Sequence, residues 1–306
     1  MRIFKNRGDI YFSKVNKEKS IEQRFLVTAL AAVVAFTAVF VIALGIKYHF
    51  SAKEFFAPEK EITYSAVETD ETLILPEVSG KTNFILTVNK EDELLFVALI
   101  QADLDNVSYK ATALKPETVY DGESLANIYK RQKTEKVKEC VEQLLTCSVD
   151  YYVDINQKNF EEIFNDMGSV SVPVLSEIRY KNKDSAVPYS VRVRAGEQNI
   201  KGGDFVNLIR YFLENDMTSS AGELLLAGLS QHINPEFMEQ KEEIYTDLVT
   251  NSDTNITVRD FSLADSAFVV LTNEKVGVGV YNAYAEYDGG EITPESLQNV
   301  KGYYSK

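Results

Sequence analysis

Tryptophan is absent from this 306-residue chain, and cysteine and histidine each occur only twice. So little cysteine excludes a disulfide-stapled scaffold. In a continuous helix over residues 134–146, Cys140 and Cys147 would stand about 10 Å apart along the axis, beyond disulfide reach. A bridge therefore requires the helix to stop before Cys147; otherwise the two are buried thiols. His49 and His232 do not suffice for a His-rich metal centre or a Ser-His-Asp triad. Positive charge is also short: 32 Lys and Arg face 46 Asp and Glu, for a net charge of −14. That balance excludes a nucleic-acid reader, which needs a basic face.

Hydrophobic content is ample at 45%, and one stretch concentrates it. Phe25 to Ile46 contains no charged residue. As a helix it would be about 33 Å long, enough to cross the hydrocarbon core of a bilayer. It is too long for the apolar core of a cleavable signal, and its exit lacks a small-x-small site. It reads as a permanent signal-anchor. Arg2, Lys5, Arg7, Lys14, Lys17, Lys19 and Arg24 precede it, against Asp9, Glu18 and Glu22. This places the N-terminus in the cytoplasm and the rest outside, a single-pass protein of the plasma membrane. Without that tail the counts are 25 and 43, near −18, which suits a soluble exported domain.

Residues 47–80 read as a stalk, with the acidic stretch Glu68-Thr69-Asp70-Glu71 and Pro76. Short apolar runs at Phe84–Val88 and Leu94–Ile100 predict buried strands, with Lys90–Glu93 as the hairpin turn. Val107–Leu114 is a third strand. A short helix at 124–129 and another at 134–146 follow, then a strand at Tyr151–Ile155. Asn156 is placed to cap a helix that Gly168 stops. Val170–Val174 is a strand, at an edge because of Pro173. Tyr189–Arg194 alternates as a strand, and helices are expected at 204–213, 220–232 and 235–250. Residues 276–284 close the pattern as a strand. Strands alternating with helices indicate an α/β fold. The divisions are a basic tail 1–24, membrane helix 25–46, stalk 47–80, a main domain 81–272, and a β-rich extension 273–306.

The middle of the chain carries a more specific signal. Ser124-Leu-Ala-Asn-Ile-Tyr129 and Val137–Leu145 lead to Val149-Asp-Tyr-Tyr-Val-Asp154. Phe160-Glu-Glu-Ile-Phe164 and Met167-Gly-Ser-Val-Ser-Val-Pro173 follow. Then come Ile200-Lys-Gly-Gly-Asp-Phe-Val-Asn-Leu-Ile-Arg210 and Thr254-Asn-Ile-Thr-Val-Arg-Asp-Phe261. In order and spacing these resemble the LytR-CpsA-Psr family over roughly residues 82–270. The resemblance implies an extracellular α/β/α-type domain with a mixed sheet. It also implies a cell-envelope activity: transfer of glycopolymers from a polyprenyl-pyrophosphate lipid to peptidoglycan. That chemistry uses arginines on the diphosphate and carboxylates on Mg²⁺.

The departures from the family pattern fall on the chemistry. The arginine-bearing loop after the first strand is replaced by Val88-Asn-Lys-Glu-Asp-Glu93, and a "P-R-D-T" motif by Lys115-Pro-Glu-Thr118. Arg210 survives, but Phe212 stands where another arginine is usual. Asp216 is kept, without the arginines that follow it. Each charge-assisted phosphate contact contributes roughly 1.5–3 kcal/mol, so such losses cost powers of ten in rate. By this resemblance Arg210, Glu117 and Asp216 are the candidate catalytic residues, and Asp92 and Glu117 the candidate metal ligands. Arg192 and Arg194, two apart on a strand, are candidate ligand-binding residues, with a solvent-facing pair as the plain alternative. For Arg210 the plain alternative is a surface ion pair; for Glu117 and Asp216 it is solvation or capping.

The expectation is a membrane-anchored pseudoenzyme of the cell wall, binding a polyprenyl-phosphate lipid, peptidoglycan or another envelope protein. An active phosphotransferase with a rearranged site, requiring Mg²⁺, and a non-catalytic sensor or structural ectodomain remain alternatives.

Overall fold

The computed structural model describes residues 75–304. The membrane run, its basic tail and nearly all of the stalk lie outside those residues. Among the described residues no helix is long and apolar enough to cross a membrane.

Fold assembly starts at one hairpin. Strands β1 (Lys81–Lys90) and β2 (Glu93–Asp103) pair antiparallel from Lys81↔Asp103 to Lys90↔Glu93, with a bulge at Val88/Asn89. Glu91 and Asp92 form the turn, both at positive φ (54° and 66°), as a tight two-residue hairpin requires. In β2 the residues Leu94 to Leu99 are all buried, because the strand is covered on both faces. β3 (Ser108–Leu114) adds antiparallel to β2, and β6 (Tyr151–Asn156) adds parallel to β1. β11 (Ser252–Thr254) and β12 (Gly279–Asn282) complete a mixed sheet in the order β11-β6-β1-β2-β3-β12. Two-stranded pairs flank it. They are β4 (Val119–Tyr120) with β5 (Glu123–Ser124), β7 (Val170–Val174) with β10 (Gly196–Ile200), and β8 (Ile178–Asn182) with β9 (Tyr189–Val193). β13 (Tyr287–Asp288) pairs with β14 (Glu291–Ile292).

Each sheet face has its own core. Ile85, Val97, Leu99 and Leu114 point toward α1 (Leu125–Leu145) and α8 (Pro294–Tyr304). Val88, Phe96, Ala98 and Ala111 point the other way. There they meet α2 (Gln157–Asp166), α3 (Gly202–Glu214) and α4 (Thr218–His232). The period-two alternation of the strands sorts these sets. The result is the expected mixed-sheet α/β domain with helices on both faces. α5 (Pro235–Asn251), α6 (Val258–Leu263) and α7 (Asp265–Leu271) follow in sequence.

Two expected helices are one: α1 runs through a kink at Lys133 (φ 58°, ψ −165°). It ends at Leu145 with Thr146 as a left-handed cap, and Cys140 and Cys147 are free thiols. Burial pushes the Cys147 thiol up to about 11 and raises Cys140 as well. Asn156 caps α2 by accepting from Lys158 N. The segment 273–306, expected as a β-rich extension, instead gives β12 to the main sheet and ends in the helix α8. Tyr304 Oη on that helix donates to Leu99 O (3.1 Å) and bonds the Thr112 hydroxyl (2.9 Å). α8 therefore belongs to the core.

His232, at the end of α4, is 6% exposed and meets the Phe164 ring edge-on at 4.5 Å. Burial lowers its pKa, against an opposing contribution from the Gly168 backbone. The folded state thus holds this proton less tightly than the unfolded chain. Stability is then lost as pH falls through the unfolded value of about 6.5 toward the lower folded one. Urea unfolding between pH 7.5 and 5.5 is expected to show this loss, and His232→Gln to flatten it by up to about 1.4 kcal/mol per pH unit. An unchanged slope in the variant would refute this account.

Candidate functional site

A cleft of about 510 Å³ opens at the turn end of the β1–β2 hairpin, where Glu93, Leu94 and Leu95 begin β2. The Pro116–Glu117 loop after β3 and the β8–β9 hairpin form its walls, and α3 contributes Arg210, Leu213 and Glu214. Arg210 and Glu117 therefore line one cavity. The other candidate residues lie elsewhere. Asp216 ion-pairs with Lys115, just before the Pro116–Glu117 wall. Asp92 sits in the exposed hairpin turn, with its carboxylate 2.5 Å from Lys133 Nζ on α1. Arg192 faces solvent opposite Arg179, while Tyr189, Val191 and Val193 of the same strand point inward. Arg194 is exposed just beyond β9.

Arg210 is 4% exposed because it shares the inward stripe of α3 with Val206, Ile209 and Leu213. Nη2 donates to Val187 O at 2.7 Å and reaches Ser185 Oγ at 3.3 Å. The guanidinium lies over the Tyr189 ring, 3.8 Å from its centroid, a cation–π contact that is strong when desolvated. Burial lowers its pKa, against the Tyr189 and Glu214 charges. Glu214 Oε2 accepts from Tyr189 Oη (2.7 Å), Asn182 Nδ2 (2.9 Å) and Tyr180 Oη (3.2 Å). Burial and this carboxylate hold the Tyr189 phenol well above its usual range. The lining carries four carboxylates, Glu93, Glu117, Asp184 and Glu214, against one guanidinium, and Glu93 is ion-paired with Lys130 at 2.7 Å. Its field favours cations over anions.

Among the described residues no group of three or more His, Cys, Asp or Glu side chains is arranged to hold a metal ion. Asp92, tied to Lys133, stands outside the lining that contains Glu117. These two residues do not fit a shared Mg²⁺ site as placed.

Two features at this end of the sheet were not read as functional in the sequence. Lys115 is 8% exposed, pairs with Asp216, and sits 4.7 Å from the Tyr287 ring centroid. Asp154 on β6 accepts from Thr87 Oγ1 (2.9 Å), Asn89 Nδ2 (2.8 Å) and Tyr129 Oη (2.9 Å). The available signal was polar residues at inward strand positions, Thr87 and Asn89 in phase with Ile85.

The LytR_cpsA_psr family model matches residues 110–292. The chain belongs to the LytR-CpsA-Psr family. Members of this family transfer glycopolymers to peptidoglycan. Among solved structures, a candidate transcription regulator from Eubacterium siraeum DSM 15702 is similar at 18% identity and TM-score 0.62, over 78% of this chain and 97% of that one. TagV from B. subtilis is similar at 16% identity and TM-score 0.54, over 75% and 97%. TagT bound to LI-WTA matches at 16% and 0.52, over 76% and 93%. At these identities the likeness is one of fold. No curated protein is a significant match by sequence.

The Lys115–Asp216 pair joins the β3 end to the turn after α3. Asp216 is 73% exposed at its side chain, so solvent screens the pair. Asp216→Asn is expected to cost under about 1 kcal/mol. Lys115→Ala should cost more, since it also removes the buried stem and the Tyr287 contact. Urea denaturation of both single variants and the double variant checks this. A coupling energy well above about 1 kcal/mol would contradict the screening argument.

Proposed function

We propose that this LytR-CpsA-Psr protein is a membrane-anchored, non-catalytic envelope protein whose outer domain works by binding. Residues 25–46 serve as the anchor, with residues 1–24 cytoplasmic and 47–80 as the stalk. The extracellular domain starts at residue 81, and the three strands and the helix within 273–306 complete it.

One observation carries the reading: the guanidinium of Arg210 is closed off by the Val187 carbonyl and the Tyr189 ring inside an acid-rimmed cleft. A diphosphate entering there would meet the carboxylates of Glu117, Asp184 and Glu214, besides Glu93, which Lys130 pairs. It would also have to compete with the Val187 carbonyl and the Ser185 hydroxyl, which hold Arg210 Nη2. The tight Glu91–Asp92 turn supports the same view, because two residues leave no loop to wrap around a phosphate. On the inner side of the cleft the space between sheet and α3 is filled by side chains such as Phe96, Ile209 and Leu213. An envelope polymer or protein surface, neutral or cationic where it touches the cleft, suits this cavity better than a polyprenyl diphosphate. TagT, matched in fold, is solved with LI-WTA, which supports an envelope polymer as the ligand class, with an uncharged stretch of it at this cleft. Mg²⁺ has no assigned role in this reading.

The full chain in detergent, given Mg²⁺, a polyprenyl-pyrophosphate-linked glycan and peptidoglycan, is expected to show no transfer above a no-protein control. Transfer that disappears in Arg210→Ala would overturn the proposal in favour of an active phosphotransferase. Protease treatment of intact spheroplasts should digest residues after 81 and spare the first 24; the reverse pattern would refute the orientation.

A further inference from the structure

The opposite end of the β1–β2 hairpin holds a second cavity, of about 480 Å³. Eight residues of β2 separate Leu95 in the cleft from Asp103 here, or about 26 Å of strand. The β3 start, β12 and α8 enclose it, through Ser108, Tyr281, Asn299 and Tyr303 among others.

Its floor is an unusual charge arrangement. Asp103 is fully buried and has Lys110 Nζ at 3.2 Å and Lys81 Nζ at 3.8 Å. It also accepts from the Asn106 backbone (3.1 Å) and side chain (3.0 Å). Two ammonium groups thus share one carboxylate, leaving one positive charge in excess. The nearby Asp105 is turned to the Gly80 amide at 2.7 Å. Lys110 is fixed, donating to Gln101 Oε1 (2.9 Å), Asp103 and Tyr303 O (3.0 Å), so its three donors are used. Lys81, 26% exposed at its side chain, keeps donors to spare. Ser108 is 1% exposed, lines the cavity, and its Oγ has no hydrogen-bond partner. A buried hydroxyl of this kind is costly unless something satisfies it.

The remaining walls identify the kind of molecule. Asn106, Gln298 and Asn299 offer amides that both donate and accept. The Tyr281 and Tyr303 rings are 48% and 39% exposed. Paired donors and acceptors beside open aromatic faces suit a polyol ring, and the excess positive charge suits an acidic substituent on it. The volume is that of a small-molecule site rather than an ion site.

We infer that this cavity is a second binding site, for a saccharide unit carrying a carboxylate or phosphate group. Lys81 takes the anionic group, with the fixed charge of Lys110 behind it. The amides of Asn106, Gln298 and Asn299 take ring hydroxyls. The assignment is independent of what the cleft at the other end binds.

Titration calorimetry of the full chain in detergent, with glucuronate, glucose 6-phosphate, glucose and inorganic phosphate as probes, tests it. Glucuronate or glucose 6-phosphate is expected to bind with a Kd of about 1 mM or below, more tightly than glucose or inorganic phosphate. Lys81→Ala should weaken binding by about tenfold or more, and Asn299→Ala by a smaller factor. Lys81→Arg should retain most of it. Lys81 is partly exposed at a strand end, so these variants are expected to fold, which their unfolding curves verify. Phosphate binding as tight as sugar phosphate would show an ion site only and overturn the saccharide assignment. Absence of binding by every probe would overturn the site. Binding that survives Lys81→Ala but falls in Arg210→Ala would place the ligand in the cleft and equally overturn it.

Discussion

Burial of β2 on both faces is the constraint from which the rest of the molecule follows. A strand with Leu94 to Leu99 all withdrawn from water needs a helix layer on each side and a partner strand at each edge. β1 and β3 supply the edges, α1 with α8 one layer, and α3 with α4 the other. The same strand carries polar groups where its cover thins. Gln101 Nε2 donates to Asn83 Oδ1 (2.9 Å) and its Oε1 accepts from Lys110 (2.9 Å), a ladder across three strands. Every buried group in that ladder is satisfied, so it fixes register as well as filling space.

The two ends of this hairpin differ in sign. At the turn, carboxylates outnumber the single guanidinium, which is enclosed by a carbonyl and a phenol ring. At the far end, two lysines surround one aspartate. The fold of this family is thus present, with charge of opposite sign at its two ends. The binding role proposed above rests on this pattern, since developing negative charge at the turn end would meet carboxylates.

The architecture was legible where burial wrote a period into the sequence. Apolar runs marked β1, β2 and β3, and Asn156 with Gly168 bracketed α2. β8 and β10 escaped notice because short pairs at the periphery, such as Ile178–Asn182, carry only weak alternation. The terminal helix escaped because Pro294–Tyr304 buries only Ser296, Val300 and Tyr304, too few to mark a stripe. At the cleft, Arg210 and Glu117, named from the motif order, line one cavity. What sequence could not supply was direction. Nothing local distinguishes an arginine that reaches into solvent from one folded against Tyr189, nor an Asp92 that faces a ligand from one tied to Lys133.

The last helix contacts strands nearly two hundred positions earlier, as in Lys110 with Tyr303 and Leu99 with Tyr304. β3 is likewise a bare edge until Gly279–Asn282 arrives to lie beside it. A chain emerging from its N-terminal end would therefore hold its central strands half covered until β12 and α8 were released. Closure entropy of this size slows folding and lengthens the exposure of sticky edges. The nascent domain is consequently one that gains from a helper able to shield an open sheet until its last helix arrives.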